Sequence, residues 1–115
     1  MSRKAKLHVG EGFDKVAKRA AAAWKRAAAG EAMHEHHVTF VSWEALASVM
    51  TKRRYELLRH LRHHPAPSVA ALARAVGRDY KRIHEDVEAL AEIGLIDRAH
   101  GLSAPFDTIE ATLRL

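Results

Sequence analysis

The chain of 115 residues predicts a mainly α fold with a small β-wing. Two observations lead there. Between Ser68 and Ile93, a short amphipathic segment, a glycine and a longer amphipathic segment follow one another closely. Beyond them, the strand start Leu95-Ile96 and the alternating stretch 106–115 read as a hairpin with Gly101 near its tip. A short helix, a glycine turn, a longer helix and a hairpin, in that order, spell a winged helix-turn-helix. Here it is preceded by an N-terminal helix.

Composition fits one modest domain with an appended arm. Hydrophobic residues make up 48% and charged residues 29%, which describes a folding chain, although much of the apolar share is alanine and buries little area. There is no cysteine, so disulfides, thiolate catalysis and cysteine-ligated zinc are excluded together, and a reducing cytoplasm is the expected location. Charges interrupt every apolar run, so neither a signal peptide nor a membrane span is expected. Net charge is +5, unevenly spread: residues 1–30 hold eight Lys/Arg against two acids, whereas residues 65–115 hold six against eight. A basic balance of this kind favours a polyanionic partner.

Taken in order, residues 1–12 read as a flexible basic leader. Residues 13–30 read as an amphipathic helix with Phe13, Val16, Ala20 and Trp24 on one stripe and Gly30 as its stop. That stripe is the expected dimer or partner contact, with residues 37–50 as runner-up. Residues 36–115 form the expected DNA-binding domain. Within it, the β-branched run His36–Val41 predicts a strand, Ser42 caps a short helix, and Thr51 caps a second helix reaching His63. The prolines at 65 and 67 end it. Ser68 caps a third helix with Val69, Leu72, Ala73 and Val76 inward, and Gly77 turns the chain. Asp79 then caps the long helix, whose back is Ile83, Val87 and Leu90.

The front of that helix carries the functional expectation. Four Lys/Arg and one acid lie within residues 74–82, against the acidic balance of the surrounding segment. A helix fits the DNA major groove when its back is apolar and its front can donate hydrogen bonds. The expected DNA contacts are therefore Arg78, Tyr80, Lys81, Arg82 and His84, with Ser68 at the preceding helix and Arg98 and His100 on the wing. Rival roles are ion pairs with Asp79, Glu85 or Asp86 on the same surface.

The stretches Thr51-Lys52-Arg53-Arg54-Tyr55-Glu56-Leu57-Leu58, Ser68-Val69-Ala70-Ala71-Leu72-Ala73 and Gly77-Arg78-Asp79-Tyr80-Lys81-Arg82 resemble small prokaryotic transcriptional regulators of MarR-like winged-helix type. The resemblance implies an operator-binding regulator and a homodimer. Some such proteins act as antitoxins, which makes a cognate toxin a further candidate partner. The expected function is thus a sequence-specific double-stranded DNA-binding regulator that represses its own operon. The alternative is a winged-helix protein-interaction module that does not read DNA. Catalysis is not expected, since no phosphate loop or nucleophile elbow is present. No cofactor is expected. The cluster His34, His36 and His37 lacks the third and fourth ligands that zinc needs, so no metal site is assigned.

Overall fold

The computed structural model describes residues 3–10, 12–28 and 35–115. Its first element is a strand, β1 (Lys4–Val9), where the sequence suggested a leader. Lys4, Lys6 and His8 alternate with Ala5, Leu7 and Val9, and the latter three are buried. The period of two is a strand pattern, hidden from a reading that weighed the cations alone. Helix α1 (Phe13–Ala28) follows, and strand β2 (Glu35–Phe40) runs parallel to β1 from Lys4↔Glu35 to Val9↔Phe40. Gly30 and His34 lie outside the described residues.

After β2 the chain is mainly helical. Ser42 Oγ accepts from the Ala45 amide at 3.1 Å and starts α2 (Trp43–Val49). Thr51 caps α3 (Lys52–His63), Ser68 caps α4 (Val69–Val76) and Asp79 caps α5 (Tyr80–Glu92). The last element, β3 (Thr108–Leu113), lies parallel to β1 on the side opposite β2, so the sheet order is β2-β1-β3.

This overturns the expected fold class. The described residues contain five helices and a three-stranded, all-parallel sheet, an α/β arrangement and not a mainly α winged helix with a small β-wing. The alternation in 106–115 did mark a strand, but its partner is β1. Residues 97–103 keep only a single antiparallel bridge, Asp97↔Ser103, and Leu102 bridges Ala66. Alternation identifies a strand without identifying its neighbour.

Two compact units result. The first joins residues up to Leu46 with Thr108–Leu115. Its polar sheet face carries Lys6 paired to Glu35 at 3.4 Å and Lys4 paired to Glu110 at 3.6 Å. On the same face His8 and His37 stack, with a nitrogen–nitrogen contact of 2.8 Å. Arg19 of α1 donates to Thr39 Oγ1 at 3.0 Å. Burial pushes the His37 ring below its ordinary value near 6.5; Arg19 and His8 add to this, and Glu35 opposes it. Burial alone would raise Glu35, but Lys6 and His37 beside it pull its carboxyl below the usual range.

The second unit spans Ala47–Asp107. Its core is Leu57, Leu58 and Leu61 of α3, Leu72 and Ala73 of α4, Ile83, Val87 and Leu90 of α5, and Leu95 and Ile96 beyond. These residues sit at helical spacing on each segment, which is why the helices form and why they pack. At Gly77 the backbone is left-handed (φ 67°), and the Arg78 amide reaches back to the Ala73 carbonyl at 3.1 Å. That closes α4 and lets α5 begin after two residues. No helix among the described residues is long and apolar enough to cross a membrane.

Candidate nucleic-acid interface

Helix α5 has two unlike sides. Ile83, Val87 and Leu90 are fully buried, so the helix cannot rotate without exposing its back. Tyr80, Lys81, Arg82, His84 and Glu85 consequently face water. Tyr80 is 54% exposed and its ring lies 5.9 Å from that of His84. Among the described residues neither Lys81 nor Arg82 has an ion-pair partner; the Asp79 side chain bonds only the Arg82 backbone amide, at 3.2 Å.

Arg82 borders a cleft of about 830 Å³ lined by Thr51, Lys52, Arg53, Arg54, Arg78, Glu85 and Asp86. Its floor is an ion-pair cluster. Asp86 is only 9% exposed and accepts from Arg54 Nε at 2.9 Å and from Arg78 at 3.1 Å. Arg54 also donates to the carbonyls of Ser48 and Val49 at 3.3 and 3.1 Å, tying off the end of α2. A carboxylate between two guanidiniums is a rigid brace, and it ties the middle of α5 to the start of α3 and to the turn before α5.

The rim of the cleft is cationic. Lys52 and Arg53 occupy the first turn of α3, which has no acid there. Cations at a helix N-terminus oppose the macrodipole, by about 0.3–1 kcal/mol each. The run Lys52-Arg53-Arg54 after a capping threonine is therefore an anomaly readable in the sequence. Arg54 is explained by Asp86. Lys52 has a weak, exposed partner in Glu56 at 4.0 Å, and Arg53 has no ion-pair partner among the described residues.

The other expected residues divide as follows. Arg78 turns inward to Asp86, with its side chain 21% exposed and its Nε buried without a hydrogen-bond partner, so it braces the site and does not front it. Ser68 is exposed and its Oγ accepts from the Ala71 amide at 3.1 Å. Arg98 pairs with Glu88, which also lies 3.6 Å from His84; Arg98 and His84 hold the Glu88 carboxyl below its usual value. Glu88 thus bounds the cationic front. His100 is exposed in the turn before Gly101. On α1, Val16 is half-buried and Ala20 and Trp24 are exposed, while the Phe13 side chain lies outside the described residues. Among the described residues no cluster of His, Cys, Asp and Glu could hold a metal.

Fold and site together define a two-unit α/β protein whose second unit presents a braced helix–turn–helix pair with a cationic front. Residues 49–111, more than half the chain, match the HVO_A0114 family, and the protein belongs to it. The match covers α3, α4, α5 and most of β3, and so includes the whole cleft. No curated protein and no solved structure matches the chain.

Proposed function

We propose that the protein is a sequence-specific regulator that binds double-stranded DNA, with the start of α5 in the major groove and the start of α3 on the phosphate backbone. One observation carries the reading: Lys81 and Arg82 stand exposed on a helix whose opposite side is locked in the core, beside a second cationic edge at Lys52 and Arg53. Tyr80, Lys81, Arg82 and His84 supply hydrogen-bond donors suited to base edges. Lys52 and Arg53 supply charge and an amide-rich helix end suited to phosphate.

Fluorescence anisotropy with the DNA upstream of the protein's own coding sequence tests this, with a scrambled duplex of equal length as competitor. The upstream duplex binds more tightly than the scrambled one. Replacing Arg82 by Ala narrows that preference at one position by about 1–3 kcal/mol, and replacing Arg53 by Ala weakens both duplexes alike. Equal, unperturbed binding by both variants removes the proposed reading surface.

A further inference from the structure

Strand β3 is an open edge of the sheet, and all six of its residues are exposed. The Arg114 amide donates to the Val9 carbonyl at 3.0 Å, so the even-numbered residues turn their backbone groups toward β1. In a strand the neighbouring residues then turn theirs away. Ile109, Ala111 and Leu113 consequently present a row of N–H and C=O groups with no strand beside them among the described residues. Natural edges are usually blunted by lysine, proline or a bulge. This strand, TIEATL, contains no lysine or proline.

From this edge we infer that a second copy of the chain pairs with it, β3 against β3, antiparallel about Thr112. The register follows from the side chains. With Thr112 on the two-fold axis, Glu110 of each copy stands opposite Arg114 of the other, and both charge pairs form at once. An isologous contact requires such reciprocity, since whatever one residue meets must also be met in reverse. The backbone agrees. In this register Ala111 faces Leu113 and Ile109 faces Leu115 as hydrogen-bonded pairs, using the groups that point away from β1. Glu110 and Arg114 then fall at non-hydrogen-bonded positions, where Cα atoms approach to about 4.5 Å and side chains are closest. The apolar residues Ile109, Ala111, Leu113 and Leu115 share one face and continue across the join. Shifting the register by one residue pairs inward-turned with outward-turned backbone groups. Shifting it by two puts Glu110 opposite Thr112 and loses both charge pairs. The inference stands independently of DNA binding.

The test is the mass of the full chain by light scattering over a dilution series. Wild type runs at twice the 12.8 kDa chain mass. A111P removes an outward amide and no bond to β1, and it dissociates the dimer while circular dichroism stays as in wild type. Should A111P fail to fold, charge swaps decide. E110R or R114E alone places like charges at both cross-strand pairs and raises the dimer Kd roughly tenfold. Mixing the two variants restores opposite charges at both pairs and recovers the dimer. Three results overturn the inference: a monomeric wild type at every concentration; a dimer indifferent to E110R and R114E; or a dimer abolished by W24A but not by the β3 changes.

Discussion

Removing the Asp86 carboxylate is the sharpest test of how the second unit holds its cationic front. Asp86 accepts charge-assisted hydrogen bonds from Arg54 and Arg78, and such bonds contribute about 1.5–3 kcal/mol each. The guanidiniums remain 18% and 21% exposed, so water recovers part of the loss when the carboxylate goes. Two half-buried like charges are left facing each other, which adds to the cost. The balance for Asp86→Ala is roughly 3 kcal/mol, or about 12–24 °C in Tm for a unit of this size. Asp86→Asn keeps the volume and one acceptor oxygen and costs less. Arg54→Ala costs more than Arg78→Ala, because Arg54 also holds the Ser48 and Val49 carbonyls. Urea melts followed by far-UV circular dichroism give these differences, and a double-mutant cycle between Asp86 and Arg54 isolates the coupling. A loss below about 0.5 kcal/mol for Asp86→Ala refutes the brace, since that is the range of an ordinary surface change.

Two further predictions concern the frame around the site. Gly77→Ala places a Cβ in open space at φ 67° and costs about 1 kcal/mol of backbone strain, whereas Gly101→Ala adds a clash with the Ala66 carbonyl at 2.8 Å and costs roughly 2 kcal/mol or more; equal thermal shifts for the two contradict the close approach. His37 prefers its neutral form in the folded sheet, so its contribution is present above the ordinary value near 6.5 and is lost as pH falls below it. Amide exchange in β1 and β2 therefore speeds up relative to unit 2 between neutral pH and about 5.5, and His37→Gln flattens the change; an unaltered pH profile in that variant refutes the assignment.

The helices of the second unit were legible because each is written twice, once in apolar spacing and once in its cap. Thr51, Ser68, Asp79 and Gly77 all act where the sequence placed them. The sheet was not legible, for a topological reason. β1 and β3 are far apart in the chain, and nothing local in Lys4–Val9 or Thr108–Leu113 names the other as partner. The cations of β1 concealed its alternation, and a hairpin after Gly94 was the shorter connection to assume. The exposed front at Tyr80, Lys81 and Arg82 was legible from the apolar back of α5. For Arg78 the sequence left base contact and an ion pair with Asp86 both open, because the choice depends on how the turn between α4 and α5 packs against Asp86 and against Arg54 of α3. The cleft rim at Lys52 and Arg53 carried a visible cue in cations set against a helix dipole.

The salt dependence of the proposed DNA binding tests the role of the cationic front most directly. Each phosphate contact contributes about −0.9 to the slope of log K against log salt. Replacing Lys52, Arg53, Lys81 and Arg82 together by alanine should flatten the slope by about 1.8, the share of the phosphate-facing Lys52 and Arg53, and weaken binding at low salt, with circular dichroism unchanged. A wild-type affinity indifferent to salt, or a fourfold variant with the parental slope, contradicts the account.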